Sequence, residues 1–286
     1  MPSVITSVPG TTANLGPGYD CLGVALGVAN RVTVHRESIE PKGDADALPG
    51  KAMANEAASA FFTRSSVTPF PFTWSAEGEV PPSRGMGSSV TIRLGLLAGL
   101  NRLSGLPLTD FELFDLCATL EGHPDNAAPA AFGGFTVAGG IMPIRFEVAP
   151  ALAFVLLIPD FEVSTPDARR VLPQQLDRLS AVGSCANACR ITAAFASQNY
   201  GLLRGAFTDG LHQPFRAPLV PFLSNVISAG EKAGALGGFL SGSGSTICCV
   251  TLENPERVAE AMHSAARGDV RTLITHADNQ GIRVLH

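Results

Sequence analysis

The chain has 286 residues, of which 45% are hydrophobic and 16% are charged, and its formal net charge is −5. This composition supplies enough apolar residues for a large buried core, so it excludes an intrinsically disordered chain. The Lys and Arg residues are scattered and form no basic stripe, so a nucleic-acid partner is not expected.

The first half of the chain is predicted to contain three strands and four helices. Clusters of β-branched residues predict strands at residues 4–8, 31–37 and 70–76. The predicted helices cover residues 51–63, 88–103, 109–120 and 127–132. A capping box of Thr109 and Glu112 opens the third helix. Residues 9–23 read as a Gly-rich loop and residues 38–50 as a polar surface excursion.

The second half begins with a buried strand at residues 151–158, the longest apolar run of the chain. The predicted helices that follow cover residues 166–178, 183–199, 202–209, 219–233 and 255–267. Residues 237–240 lead through a Ser/Gly loop into a strand at 246–252, and a last strand is expected at 282–285. Strands and helices alternate throughout, which predicts an α+β fold with two sandwich-like halves.

We expect a cytoplasmic protein without a membrane segment. The first residues do not combine a charged stretch with an apolar one, so no signal peptide is predicted. The apolar run at 151–158 is too short to cross a bilayer. The six Cys residues contain no C-x-x-C pair, which favours reduced thiols over a metal site or a disulfide.

The segment Pro81–Ser89 is the strongest candidate for binding an anion. Gly85 and Gly87 allow the backbone to approach a ligand closely. Ser88 and Ser89 then open a helix, whose free N–H groups and dipole favour negative charge. Their hydroxyls can bond phosphate oxygens or Mg²⁺. Taken alone, such a segment is more often a capped helix after a turn.

This loop is neither a Walker A loop nor a dinucleotide-binding fingerprint. The chain has no G-x-x-x-x-G-K-[ST] pattern, and Val90 stands where the fingerprint needs its third Gly. None of the three Lys residues lies in a Gly-rich loop. Phosphates bound here would therefore be held mainly by backbone amides and a metal ion.

Three other loops carry polar groups. Asn14 and Asp20 lie in a Gly-rich loop that is equally well explained as a wide hairpin, and the loop Leu240–Ser245 either presents N–H groups to a ligand or forms a tight turn. In the segment Glu121–Asn126, Asp125 could accept or orient a hydroxyl proton and Glu121 could hold Mg²⁺. A helix cap with solvated polar residues is the alternative there. The His residues outside this segment are isolated in the sequence, so no zinc site or Ser-His-Asp triad is predicted.

Taken together and in order, these segments resemble the motifs of the GHMP kinase superfamily, and of its homoserine kinases in particular. The matching segments are PGTTANLGPGYDCL (9–22), PPSRGMGSSV (81–90), EGHPDNAAPAAFGGF (121–135), TPDARRVLP (165–173), QPFRAPLVP (213–221) and LSGSGST (240–246). They extend over nearly the full chain in one consistent order, which is why the joint pattern outweighs the alternative reading of each loop.

The resemblance implies an ATP-binding domain at residues 1–150, similar to domain 2 of ribosomal protein S5, and a ferredoxin-like domain at 151–286, with the active cleft between them. It implies Mg²⁺-dependent transfer of the γ-phosphoryl of ATP to the side-chain hydroxyl of L-homoserine, a step of threonine biosynthesis. Neither nucleic acid nor a membrane is an expected partner, and a homodimer is compatible with the family.

The resemblance also assigns residues to roles. ATP-binding residues would be Pro82, Ser83, Arg84, Gly85, Met86, Gly87, Ser88 and Ser89. Substrate-binding residues would be Asn14, Asp20, His123, Asn126, Arg169, Arg216, Ser241 and Gly242, with Asp20 suited to an ammonium group and the two Arg residues to a carboxylate. Catalytic residues would be Asp125, Ser88 and Ser89, and metal ligands would be Ser89 and Glu121.

Several alternatives stay open at this point. Asp125 either abstracts a proton or only orients the hydroxyl, and the metal carboxylate is either Glu121 or Asp115. Ala52 and Gln213 depart from the family pattern, in which an adenine-contacting Asn and an acid are common. The substrate could instead be threonine or a mevalonate-type alcohol. A catalytically silent regulator and an RNA-binding protein of the S5-like fold are less favoured, because the segment Pro81–Ser89, called the Gly/Ser loop below, is intact and the net charge is negative.

Overall fold

The computed structural model describes residues 2–38, 50–140 and 142–285. The predicted excursion at 38–50 lies almost entirely outside these residues. The strands are β1 (Ser3–Ala13), β2 (Leu22–Arg36), β3 (Phe72–Gly78), β4 (Phe135–Val137), β5 (Ile144–Phe146), β6 (Ala153–Pro159), β7 (Gly237–Leu240), β8 (Ile247–Thr251), β9 (Val270–Thr275) and β10 (Arg283–Val284).

The helices are α1 (Lys51–Ser65), α2 (Ser88–Leu103), α3 (Asp110–Glu121), α4 (Ala127–Phe132), α5 (Thr165–Arg170), α6 (Arg178–Ala196), α7 (Gln213–Arg216), α8 (Leu223–Ala233) and α9 (Pro255–Ala265). Short 3₁₀ helices lie at Tyr200–Leu203 and Ala217–Leu219. Among the described residues, no helix is both long enough and apolar enough to cross a membrane.

The first sheet is antiparallel and has the order β10-β1-β2-β4-β5, with β3 also paired to β2. Strand β2 pairs with β1 along one edge, and its length lets it pair with two more strands along the other: its first residues pair with β4 and its last residues with β3. A core of side chains from α1 to α4 covers one face of this sheet, and α2 packs across β1 and β2. This packing fixes where α2 begins, at one edge of the cleft.

The second sheet is antiparallel and has the order β7-β8-β6-β9. Its strands and the helices α8 and α9 follow the β-α-β-β-α-β pattern of ferredoxin-like domains, as expected for the second half. Helices α8 and α9 cover one face. On the other face, a core joins both sheets with α6, where Phe135 of β4 stacks on Phe195 at a centroid distance of 4.2 Å.

The end of the chain returns to the first sheet. Strand β10 pairs with β1, and Leu26 forms an isolated bridge with Ala277. The α+β prediction is confirmed, whereas the domain boundary at residue 150 stays a prediction, since the last residues join the sheet of the first half.

Several predicted elements differ from the structure. The segment 9–23, predicted as a loop, is strand at both ends, where β1 continues to Ala13 and β2 begins at Leu22; strands β4, β5, β7 and β9 were not predicted. The predicted helix at 202–209 is wrong, because the short 3₁₀ helix Tyr200–Leu203 is followed by turns. The predicted helix at 166–178 ends at Arg170, and α6 begins earlier than expected because Asp177 caps its first N–H groups.

Candidate active site

A cleft of about 320 Å³ opens between the two halves of the molecule. All of the predicted site residues line it except Met86 and Ser241. The lining set is Asn14, Asp20, Gly50, Met53, Pro82, Ser83, Arg84, Gly85, Gly87, Ser88, Ser89, Ile92, Glu121, His123, Asp125, Asn126, Val163, Thr165, Arg169, Arg216, Gly242 and Ser243. The fold thus brings together residues from six separate sequence motifs.

The Gly/Ser loop is packed too tightly for side chains at its two glycines. Gly85 and Gly87 have left-handed φ values of 70° and 69°. A Cβ atom at residue 85 would lie 2.1 Å from the carbonyl oxygen of Ser241, and one at residue 87 would lie 2.1 Å from Oγ1 of Thr11. The loop backbone therefore lies directly against both halves of the protein.

Helix α2 begins at Ser88 and directs its N-terminus into the cleft. Its N-cap is Gly87, which has no side chain to bond the first N–H groups. Such unpaired N–H groups and the helix dipole form a binding site for an anion. Among the residues that the structure describes, no Lys lines the cleft, so backbone amides are its main source of positive potential at this end.

The predicted metal ligands Ser89 and Glu121 are adjacent. The Ser89 hydroxyl donates a hydrogen bond of 2.8 Å to Oε2 of Glu121, whose Oε1 accepts one of 2.6 Å from Arg93. A carboxylate and a hydroxyl at the helix N-terminus are the oxygen ligands that Mg²⁺ prefers, so the residues fit this ion. Asp115 does not line the cleft, which favours Glu121 over Asp115 as the metal carboxylate.

Asp125 is only 2% exposed and is held by three donors. Its Oδ1 accepts hydrogen bonds from Nδ1 of His123 and from the backbone and side-chain nitrogens of Asn126. Burial lowers the pKa of His123, but the hydrogen bond and charge of Asp125 outweigh it and raise this pKa overall. Among the described residues Oδ2 of Asp125 has no donor, so it is available to a substrate hydroxyl.

Asp20 and Arg169, which are predicted to bind the ammonium and the carboxylate of an amino acid, lie side by side. Arg169, on α5, donates to both carboxylate oxygens of Asp20 at 2.9 and 3.1 Å and to the hydroxyl of Tyr19 at 2.9 Å. Asn14 fixes the loop that carries Asp20. Its side chain accepts a hydrogen bond of 2.9 Å from the backbone N–H of Asp20 and donates one of 3.0 Å to the carbonyl of Gly242.

Arg216 adds a second positive charge at this end. Arg216 is only 2% exposed, yet it forms no ion pair with an acid among the described residues. Its Nε donates to the carbonyl of Ala168 at 3.0 Å, and one terminal nitrogen donates to Gly242 at 3.1 Å and to the His212 ring at 3.3 Å. Burial lowers the pKa of Arg216 from its very high ordinary value. A buried cation of this kind suits an anionic ligand.

Three predicted site residues have structural contacts instead. Met86 is buried in the core between the sheets. Ser241 is fully buried and donates to the carbonyl of Gly85 at 2.7 Å. Arg84 lines the cleft, but its guanidinium lies within 3.5 Å of Asp160 and 3.3 Å of Glu162. These residues hold the Gly/Ser loop against the second half rather than offering a free charge to phosphate.

Several residues at the site are not predicted by the sequence motifs. Gly50, Met53, Ile92, Val163, Thr165 and Ser243 line the cleft. His212, isolated in sequence, contacts Arg216 in space, and its position directly before the QPFR segment was the one available signal. Gln213, where the family pattern has an acid, donates to the carbonyl of Phe207 and accepts from the N–H of Leu240, a pair of bonds that a carboxylate cannot make.

Comparison with known proteins agrees with this geometry. The model of the GHMP kinases N-terminal domain matches residues 52–134, and that of the GHMP kinases C-terminal domain matches residues 191–268. The chain is 37% identical to the homoserine kinase of Moorella thermoacetica over 281 residues, which cover 94% of this chain and 95% of the relative. It is 36% identical to that of Aquifex aeolicus over 291 residues, covering 97% and 98% of the two chains.

Solved structures show the same fold. The crystal structure of a homoserine kinase from Cytophaga hutchinsonii aligns with a TM-score of 0.89 at 24% identity, covering 99% of this chain and 97% of that one. The mevalonate kinase of Methanococcus jannaschii aligns with a TM-score of 0.71 at 15% identity, covering 95% and 97%. From its motifs, its two-sheet fold and its relatives, the chain belongs to the GHMP kinase family.

Proposed function

We propose that this protein is a homoserine kinase, which transfers the γ-phosphoryl group of ATP to the side-chain hydroxyl of L-homoserine to give O-phospho-L-homoserine. The observation that carries the proposal is the grouping of Asp20, Arg169 and Arg216 in the same cleft as the Gly/Ser loop. One acid and two guanidinium groups complement an ammonium and a carboxylate. The relatives at 35–40% identity carry the same name.

The Gly/Ser loop is proposed to bind the ATP phosphates. The loop glycines keep the backbone close to the ligand, and the N-terminus of α2 supplies N–H groups. The apolar side chains of Met53 and Ile92 line the cleft and offer a surface for the adenine ring. Mg²⁺, held by Ser89 and Glu121, would neutralise negative charge on the phosphates.

Phosphoryl transfer needs alignment and charge stabilisation more than a strong base. Asp125 is proposed to accept a hydrogen bond from the substrate hydroxyl through Oδ2 and so to orient it. The donors on Oδ1 hold the carboxylate in one orientation, which favours positioning of the hydroxyl with partial proton acceptance over the role of a dedicated general base. His123 and Asn126 contribute by fixing that carboxylate.

The second candidate is a kinase of the same family that acts on another alcohol. The mevalonate kinases that share this fold are only 14–15% identical, so they support the fold alone. Mevalonate has a carboxylate and no ammonium, and Asp20 would then face no positive group of the substrate. The presence of Asp20 beside the two Arg residues therefore favours an amino acid.

The test is ADP release by the purified protein with ATP and Mg²⁺, with L-homoserine, L-threonine, L-serine and mevalonate offered separately. Phosphorus NMR would identify the product. We expect turnover that strongly favours L-homoserine and needs its amine. Preference for another alcohol would keep the fold and the ATP site but discard this substrate. ATP binding without turnover on any of the four would favour a silent ligand-binding regulator.

A further inference from the structure

His212 is a fully buried polar residue that does not line the cleft. Both ring nitrogens are used: Nε2 lies 2.8 Å from the carbonyl oxygen of Gly16, and Nδ1 lies 3.3 Å from a terminal nitrogen of Arg216. The ring also lies 5.3 Å from the ring of Tyr19, measured between centroids. The imidazole therefore connects the Ala13–Asp20 loop with Arg216.

The partners fix the state of the ring. A carbonyl oxygen only accepts and a guanidinium only donates, so Nε2 carries the hydrogen and Nδ1 presents its lone pair to Arg216. The neutral ring is consistent with burial, which lowers the pKa of His212 to about 4. A protonated ring would place an N–H against Arg216 and would lose this bond.

The backbone of His212 is fixed as well. Both oxygens of the buried Asp209 carboxylate accept backbone N–H groups, Oδ1 from Leu211 and Oδ2 from His212 and Gln213, at 2.6 to 3.0 Å. The imidazole consequently has little freedom to leave Arg216.

We propose that His212 is a positioning residue, which holds Arg216 in the orientation that binds the substrate carboxylate and ties it to the loop that carries Asp20. This inference rests on the proposed function, in which Arg216 binds that carboxylate. His212 does not act on the reacting atoms, because its side chain has no access to the cleft. Its effect should therefore fall on recognition of the substrate and not on ATP.

Two substitutions separate the two bonds of the ring. His212→Gln extends far enough to keep a donor for the carbonyl of Gly16 and removes the acceptor near Arg216. His212→Asn keeps an amide oxygen at the place of Nδ1 and gives up the contact with Gly16. Each variant would be compared with wild type on L-homoserine and on 2-aminobutane-1,4-diol, which keeps the amine and the reacting hydroxyl but has no carboxylate.

We expect His212→Gln to raise KM for L-homoserine about 10-fold, the effect of losing one hydrogen bond to a charged group. Its KM for ATP should stay unchanged. The preference of kcat/KM for L-homoserine over the diol should fall by the same factor, whereas His212→Asn should keep the preference of the wild type. A merely structural role would change both substrates and ATP together.

The inference would be overturned if His212→Gln kept the wild-type preference for L-homoserine over the diol. It would also be overturned if His212→Asn lost that preference. The second variant keeps the test decisive even if His212→Gln fails to fold. Absence of wild-type turnover on L-homoserine would overturn the proposed function and this inference with it. Wild-type turnover combined with an unchanged preference in His212→Gln would overturn the role of His212 alone.

Discussion

The most direct test of the ATP site is Gly85→Ala, which adds a single methyl group to the Gly/Ser loop. Gly85 has a φ of 70°, a conformation that costs an L-residue about 1 kcal/mol. That conformational penalty is the smaller effect. The added Cβ would lie 2.1 Å from the carbonyl oxygen of Ser241 and 2.9 Å from the backbone of Gly244.

The contact with Ser241 decides the magnitude. Cβ atoms essentially never approach a heavy atom closer than 3.0 Å, so the loop must move by about 1 Å to accept the methyl group. The obstacle is backbone on both sides, which cannot rotate away as a side chain would. A displacement of about 1 Å in a positioning element lowers the rate by about 10²-fold. We expect this loss in kcat/KM for ATP, with the protein still folded.

Gly105→Ala is the matched control. Gly105 has a φ of 84°, and a Cβ there would meet no heavy atom within 4 Å. It carries the same conformational cost without the collision, and it does not line the cleft. We expect Tm to fall by about 2–4 °C and kinetics to stay at the wild-type level. Steady-state ADP release and thermal unfolding of both variants test the reasoning, and wild-type kinetics in Gly85→Ala would refute it.

Three further predictions follow from the site. Glu121→Gln should raise the Mg²⁺ concentration needed for half-maximal activity at least about 10-fold, whereas Asp115→Asn should leave this concentration unchanged. The reverse result would assign the metal carboxylate to Asp115. Asp125→Asn should lower kcat by about 10²-fold with little change in KM for ATP, and a loss below about 3-fold in steady-state assays would contradict proton acceptance. The pKa of His212 is lowered to about 4, chiefly by burial, so between about pH 6.5 and 4 the unfolded chain binds a proton that the folded protein does not. Its contribution to the free energy of unfolding is therefore complete above pH 6.5 and should fall by on the order of 3 kcal/mol toward pH 4. Urea titrations across this range should show a smaller pH dependence in His212→Asn, and an equal one would contradict the prediction.

Local patterns predicted the helices near the site well. Helix α2 has the predicted bounds, and α3 differs by one residue at each end. The capping box is confirmed, since Thr109 and Glu112 exchange both bonds. These elements depend on spacing and end chemistry within a single segment, which the sequence displays directly.

Strands β1 and β2, which flank the Ala13–Asp20 loop, were harder to predict. Pro9 and Gly10 resemble the end of a strand, yet a register shift between Pro9 and Thr11 lets β1 continue to Ala13. Gly23 lies inside β2, where a Cβ would come within 2.0 Å of the carbonyl oxygen of Asp125. Glycine is required there by the close approach of another segment, a tertiary contact that no local pattern reveals.

The partners of the site residues could not be predicted for a similar reason. The motifs identified Glu121 and Arg169, but not that Arg93 bonds the first or that Asp20 bonds the second. These pairs join segments 28 and 149 residues apart. Their geometry depends on the packing of α2 against the first sheet and on the approach of the two halves.

The two ends of the cleft achieve recognition by different means. At the end proposed to bind phosphate, the N-terminus of α2 offers backbone N–H groups, so binding there is expected to depend on loop geometry and on glycines that allow close packing. At the other end, charged side chains face one another, and Arg169 already bonds the acid that would receive an ammonium. A zwitterionic substrate can replace the Arg169–Asp20 ion pair with two new ones, one between its carboxylate and Arg169 and one between its ammonium and Asp20. An uncharged alcohol would have to break the same ion pair without forming new ones. We therefore expect this ion pair to favour an amino acid as substrate, and substitutions at Asp20 should change substrate choice while leaving ATP binding intact.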